Sequence, residues 1–193
     1  MRTVGVILAG GQGRRMGGAD KALLRLAGAP LVQHVCERFE PQVEAVAISA
    51  NGDPARLAFL GLPVLADDAP QGPLSGVLAG LDWAASMGAD ALVTVAVDTP
   101  FFPGDLVPQL WLAGGGGPAI ARSGGRDHPT FALWPVGLRH DLRVWLAQGE
   151  ARLMAFAARH HAATCVFEFD AIDPFFNLNT TADLARAEAL MAR

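Results

Sequence analysis

Tyrosine is absent from this chain, and with it any phenol acid–base chemistry. Cysteine is scarce. Cys36 and Cys165 stand far apart without metal-ligand spacing, so they read as two small buried hydrophobes. The histidines form no zinc motif. His160 and His161 are adjacent, and neighbours on a helix point about 100° apart. No apolar run approaches the ~18 residues of a membrane helix; the longest candidate, Ala91 to Val97, has the length of a strand. The opening Met1-Arg2-Thr3 leads into a β-rich segment with no small-residue cleavage site, which predicts a cytoplasmic protein. A basic excess is missing as well. A net charge of −4 argues against a nucleic-acid partner, which needs basic patches, although a local basic cluster can still hold one small phosphorylated ligand. Neither Gly-x-Ser-x-Gly nor any other set that marks a covalent nucleophile occurs.

What remains is the composition of a packed globule. Hydrophobic residues make up 51% and charged residues 18% of 193, which predicts a single domain over 1–193 rather than disorder. Thr3 to Ala9, Val43 to Ser49, Pro63 to Ala66, Ala91 to Val97, Pro118 to Arg122, Thr130 to Trp134 and Cys165 to Phe169 read as strands. Between them, Pro30 to Phe39, a short segment from Asp53 or Pro54, the stretch opened by Gly72, Asp105 to Leu112, Val136 to Ala147, Arg152 to His160 and Thr181 to Ala192 read as helices. Gly10 to Asp20 and the glycine run at 114–117 read as loops, the latter flexible. This alternation predicts an α/β fold: a Rossmann-like three-layer sandwich with a mostly parallel sheet and helices on both faces. Its ligands belong at the carboxyl ends of the strands, near the switch point. Trp83, Trp111, Trp134 and Trp145 fall in helix and strand patterns and read as core or groove walls.

The first strand runs directly into Leu8-Ala9-Gly10-Gly11-Gln12-Gly13-Arg14-Arg15-Met16-Gly17-Gly18-Ala19-Asp20-Lys21. Glycines let backbone N–H groups approach phosphate oxygens. Arg14, Arg15 and Lys21 bring positive charge against Asp20 alone, the arginines as forks and the lysine as a point charge. A Walker A loop is excluded because Gly-Lys-Ser/Thr is missing. The dinucleotide fingerprint is excluded too, since Met16 stands where its third glycine belongs, and with it a nicotinamide oxidoreductase.

This segment, continued by Leu23-Leu24-x-Leu26-x-Gly28-x-Pro30-Leu31, resembles the signature of the molybdenum cofactor guanylyltransferases (the MobA family), within the clan of nucleotide-diphospho-sugar-type pyrophosphorylases. The resemblance spans nearly the whole chain, because later motifs recur in order. Cytidylyl relatives carry Leu-Ala-Ala-Gly where this chain has Leu8-Ala9-Gly10-Gly11, so the resemblance implies guanine. It places Leu8, Ala9, Gly10, Gly11, Lys21, Asn51, Asp67 and Asp98 against the nucleotide.

Asp98 follows a buried strand directly, facing the expected crevice. Mg²⁺ favours few carboxylates, with phosphate oxygens and water completing its shell, and the resemblance implies Mg²⁺ as the cofactor and Asp98 as its ligand; capping the next helix is the alternative. Asp67 and Asp68 close the third strand, and their chemistry does not choose between them, or between base reading and a turn; the resemblance points to Asp67. Ser49-Ala50-Asn51 ends the second strand, where Ser49 departs from the family's frequent Asn and Asn51 is a base or ribose contact, or a turn residue. Gly72-Pro73-Leu74-Ser75-Gly76 opens a helix whose first N–H groups can meet an anion. Arg126-Asp127-His128-Pro129 resembles the segment on the family's pterin side. Asn177 and Asn179, two apart, can face one ligand from an extended chain; the family's proline is replaced by Thr181.

The resemblance thus implies transfer of GMP from GTP to molybdopterin. Arg15, Lys21 and Asp98 would be catalytic, and Arg126, His128, Asn177 and Asn179 would bind the acceptor. Molybdoenzyme chaperones or cofactor-insertion proteins are further candidate partners, with neither nucleic acid nor membrane involved. Other chemistries on the same framework are a cytidylyl transfer to the pterin, a nucleotidyl transfer to a sugar phosphate, and a non-catalytic GTP-binding delivery protein.

Overall fold

The computed structural model describes residues 1–10, 12–13, 19–66 and 72–191. The β-branched, apolar opening becomes β1 (Thr3–Leu8), buried at every position. Two short ribbons follow: β2 (Gln12–Gly13) pairs antiparallel with β3 (Ala19–Asp20) within the stretch expected as a loop, and β4 (Arg25–Leu26) pairs with β5 (Ala29–Pro30), so that the helix expected from Pro30 starts one residue later. The remaining elements are α1 (Leu31–Phe39), β6 (Val46–Ser49), a 3-10 segment (Pro54–Leu60), β7 (Val64–Leu65), α2 (Pro73–Ser86), β8 (Ala91–Ala96), α3 (Leu106–Gly114), β9 (Ala119–Ser123), β10 (Arg126–Pro135), α4 (Arg139–Ala147), α5 (Leu153–Arg159), β11 (Ala163–Val166) and α6 (Thr181–Met191).

Among the described residues, seven strands form one sheet in the order β11-β9-β10-β8-β1-β6-β7. All neighbours pair in parallel except β10, which is antiparallel to both β8 and β9. From β1 the chain passes to β6 and β7 on one side, then crosses to β8 on the other. The switch point therefore lies between β1 and β8, where an open α/β sheet forms its ligand crevice.

Helices cover both faces, because strands buried on both sides need two apolar layers. On one face Val32, Val35 and Phe39 of α1 and Leu106, Val107 and Leu110 of α3 pack on Ile7, Ile48, Val93 and Val95. On the other, Leu74, Val77 and Leu81 of α2, Leu142 of α4 and Phe156 of α5 pack on Val4, Val6, Leu92 and Trp134. A smaller cluster joins Leu26 and Leu31 to Leu178 and to Ala187 of α6. The tryptophans serve as walls: Trp134 is fully buried with its Nε1 donating to Thr94 Oγ1 at 3.3 Å, and Trp111 donates to Thr3 Oγ1 at 2.9 Å. Both cysteines are buried and free, and burial, with Glu40 and Glu37 nearby, pushes the Cys36 thiol up to about 12.

Two glycines set how closely these layers approach. A Cβ on Gly5 would overlap the ring of Phe39, itself fully buried on α1. A Cβ on Gly76 would lie 2.5 Å from Ser49 Oγ and 3.0 Å from Leu8 Cδ2. The start of α2 is thereby drawn over the carboxyl ends of β1 and β6. The glycine run at 114–117, expected as a flexible loop, instead closes α3: the N–H of Gly115 reaches Trp111 O at 3.2 Å and that of Gly117 reaches Gly114 O at 2.8 Å. No helix among the described residues is long and apolar enough to cross a membrane.

Candidate active site

The crevice begins with Leu8, Ala9 and Gly10 at the end of β1. Ala9 is buried and its N–H donates to Ser49 O at 2.9 Å, while Val97, just past β8, donates to Leu8 O at 3.2 Å. Three strand ends are thus tied at one edge. Gly10 is exposed there, with nothing among the described residues within 4 Å of where a Cβ would stand. Gly11 and Asp67, which the resemblance places against the nucleotide, and Arg15, which it makes catalytic, lie outside the described residues, as does Asp68.

Lys21 opens a short 3-10 turn (Lys21–Leu23) that Asp20 caps by accepting from Ala22 N–H at 3.1 Å. The other oxygen of Asp20 lies 3.1 Å from Arg56 Nε, and Arg56 Nη2 donates to Asn51 O at 3.0 Å. Arg56 thereby joins the loop after β6 to the turn that presents Lys21. The Lys21 ammonium sits 2.9 Å from Asp98 Oδ2 and donates to Asn179 Oδ1 at 2.6 Å. The side chains of Lys21 and Asp98 are 21% and 18% exposed, so the pair is shielded yet open on one side.

Asp98 follows the end of β8, and its main-chain carbonyl accepts from Leu178 N–H at 2.7 Å. Thr99 is fully buried; its hydroxyl donates to Asn177 Oδ1 at 2.5 Å and lies 3.3 Å from Asp98 Oδ1. Asn177 and Asn179 therefore flank Asp98 on the same segment. The helix after them begins with a reciprocal cap: Asp183 Oδ2 accepts from the N–H groups of Asn179 and Thr180, and Asp183 N–H returns to Thr180 Oγ1. Hydrogen bonding by Thr180 leads the causes that hold the Asp183 carboxyl below its ordinary value. Thr180 is the cap, which leaves the Asn179 side chain for Lys21.

Arg126 and His128 stand on the hairpin of β9 and β10, turned by Gly124 and Gly125 at φ +50 and +76. Two successive positive φ values mark the tight turn that suits strand twist. Because β9 runs parallel to β1 and β8 through the order of the sheet, this turn lies at the same carboxyl edge as Asp98. The β9–β10 register shifts between His128 and Ala132, a stretch that includes Pro129, which suits an irregularity because proline donates nothing to a ladder. Arg126 is exposed; His128 is half-buried and stacks on Phe175, with ring centroids 4.6 Å apart and planes 13° apart. Its Nε2 is 2.7 Å from Ser123 Oγ, which donates to Asp173 Oδ1 at 2.7 Å. Burial lowers the pKa of His128 below its ordinary value and Arg126 adds to this, against the opposing pull of Asp173 and Asp127.

The segment at 173–179 thus crosses the whole edge. Its odd-numbered residues Asp173, Phe175, Asn177 and Asn179 touch in turn Ser123, His128, Thr99 and Lys21. The structure brings Lys21, Asp98, Asn177 and Asn179 into one cluster, with Leu8, Ala9 and Gly10 beside it, Asn51 linked to it through Arg56, and Arg126 and His128 further along the same edge. Arg56, Ser123, Asp173 and Phe175 are the residues that the motifs did not single out. Ser123 stood in the glycine-bearing connection, but nothing in its spacing announced a partner fifty positions away.

A family profile described as the MobA-like NTP transferase domain matches residues 5–164. A protein of Cereibacter sphaeroides named molybdenum cofactor guanylyltransferase is 65% identical over 193 residues, covering 100% of this chain and 99% of its own. Among solved structures, molybdopterin-guanine dinucleotide biosynthesis protein A from Archaeoglobus fulgidus superposes with a TM-score of 0.74 at 23% identity, covering 98% of each chain. A nucleotidyl transferase from Methanothermobacter thermautotroptrophicus superposes with a TM-score of 0.76 at 17% identity, covering 100% of this chain and 98% of its own. The fold is that of the nucleotide-diphospho-sugar transferases.

Proposed function

The chain belongs to the MobA-like NTP transferase family and, within it, to the molybdenum cofactor guanylyltransferases; on that premise we propose that it transfers GMP from GTP to the terminal phosphate of molybdopterin. An oxygen of that phosphate forms a bond to the α-phosphorus of GTP. The bond from the α-phosphorus to the bridging oxygen breaks, and pyrophosphate leaves with the electron pair. The products are the guanine dinucleotide form of the cofactor and pyrophosphate. The attacking phosphate is already an anion, so no strong general base is needed. Catalysis then rests on positioning and charge neutralisation.

The single observation that carries this reading is the cluster at the switch point: Lys21, Asp98 and Asn179 within hydrogen-bond distance of one another beside the glycine-bearing end of β1. In the proposal, Leu8, Ala9 and Gly10, with Gly11, offer main chain to the nucleotide, and Asn51 and Asp67 face its base. Lys21 and Arg15 neutralise charge on the departing pyrophosphate. Asn177 and Asn179, with Arg126 and His128 along the same edge, hold the acceptor in line.

Mg²⁺ is the proposed cofactor, with Asp98 its ligand. The donor set fits. Asp98 brings one carboxylate, 18% exposed at the crevice, and Mg²⁺ characteristically takes one or two carboxylates and fills the rest of its shell with phosphate and water. When bound, it would supply charge neutralisation at the phosphate oxygens. Asp98 is steadied for this by the Lys21 ammonium at its Oδ2 and by the Leu178 N–H on its own carbonyl.

Comparing GTP, CTP and UTP with molybdopterin present tests the proposal. Pyrophosphate release with GTP alone is expected. Preference for CTP would make the chain a cytidylyltransferase, and GTP binding without pyrophosphate release would make it a delivery protein.

A further inference from the structure

The hairpin of β9 and β10 holds a buried polar relay whose hydrogens can be assigned. Ser123 Oγ is fully buried and lies 2.7 Å from both His128 Nε2 and Asp173 Oδ1. A serine hydroxyl has one proton, and a carboxylate only accepts. Asp173 Oδ1 accepts that proton and also the N–H of Phe175 at 2.9 Å. The Ser123 oxygen is then left as an acceptor toward the imidazole, so the hydrogen between them belongs to His128 Nε2. In a neutral ring Nδ1 consequently carries a bare lone pair. Neutrality agrees with the lowered pKa of His128, caused first by burial and assisted by Arg126, with Asp173 and Asp127 opposing. Stacking on Phe175 fixes the plane of the ring, and Nδ1 makes no hydrogen bond among the described residues. Ser123 is no nucleophile in this arrangement, since it is buried and its proton is held by Asp173.

We propose that Asp173, acting through Ser123, locks His128 as the Nε2–H tautomer, so that Nδ1 accepts a hydrogen bond from a ring or amino N–H of the acceptor's pterin. The proposal rests on the assignment of this hairpin to the acceptor side. It makes Ser123 and Asp173 positioning residues for acceptor recognition. A neutral His128 so held has no N–H left for the acceptor's phosphate, because its one ring proton is committed to Ser123. Recognition at this point is of a donor on the heterocycle, and the phosphate must be gripped by other groups.

Two-bond ¹⁵N–¹H spectra of the imidazoles in the full chain read the tautomer directly, without substrate. The Nε2–H form of His128 is expected, and an Nδ1–H form would overturn the proposal. Asp173→Ala frees the Ser123 hydroxyl to turn its proton toward Nε2. That variant is expected to move His128 toward Nδ1–H and to raise the KM for molybdopterin roughly tenfold, about the worth of one hydrogen bond, with the KM for GTP unchanged. An unchanged tautomer and acceptor KM, or equal rises for both substrates, would overturn the positioning role. The wild-type spectrum needs no turnover. A chain with Nε2–H His128 that made no dinucleotide would refute the guanylyltransferase reading and leave the relay standing; a competent enzyme with Nδ1–H His128 would refute the relay alone.

Discussion

Lys21 joins parts of the chain that are distant in sequence. Its turn is capped by Asp20, its ammonium meets Asp98 after β8, and Asn179 reaches it from the segment before α6. A point charge so placed can neutralise phosphate oxygens without rearrangement, and losing one such group costs roughly 10²–10³ in rate. Lys21→Ala is accordingly expected to lower kcat/KM for GTP by about that factor in steady-state assays with molybdopterin; unchanged kinetics would remove Lys21 from the site. Lys21 and Asp98 were legible because each stands in a dense motif directly beside a strand whose pattern is unmistakable. Arg56 was not. It is one charged residue in a short helical segment, and its importance comes from reaching both Asp20 and Asn51 O, a geometry that spacing does not encode. Ser123 and Asp173 escaped notice for the same reason, since a hydrogen bond between residues fifty positions apart leaves no local pattern.

The layers are legible at the scale of elements, while their ends and ribbons are less so. The β-branched runs at 3–8 and 91–96 and the amphipathic run of α1 carry periodicities strong enough to fix both type and place, while α2 is marked by the Gly-Pro that opens a largely apolar stretch. The edge strand β7 shortened to Val64–Leu65, where pairing comes from β6 alone. The ribbon of β4 and β5 has only two residues per strand, too few for any alternation to show. The β10 strand ran longer than Thr130 to Trp134 because its pairing with β9 resumes beyond the register shift between His128 and Ala132, a tertiary effect on residues of mixed character. Contact between elements yields a prediction of its own. The Cβ introduced by Gly5→Ala would overlap the Phe39 ring, which also packs edge-on against Phe102 at 6.0 Å between centroids. Neither ring can swing aside cheaply, so urea titration should show a loss of about 1–3 kcal/mol, the usual cost of overpacking. An unchanged midpoint would mean that α1 shifts outward freely.

For the molecule as a whole, the crossing of the chain from one side of β1 to the other decides where chemistry can occur. It leaves a crevice between β1 and β8, and the hairpin of β9 and β10 extends the same edge, along which the proposed function lays two substrates side by side. The segment at 173–179 spans both halves, contacting Ser123 and His128 at one end and Lys21 at the other. On this account the fold supplies an edge on which a triphosphate and an anionic acceptor are brought together, and Asp98 stands where they meet. The most direct measurement follows the α-phosphorus. With GTP labelled at that atom, molybdopterin and Mg²⁺, the wild-type chain should move the label into the dinucleotide cofactor. Asp98→Ala, folded by circular dichroism, should leave it in GTP; label transfer by that variant at the wild-type rate would contradict the account.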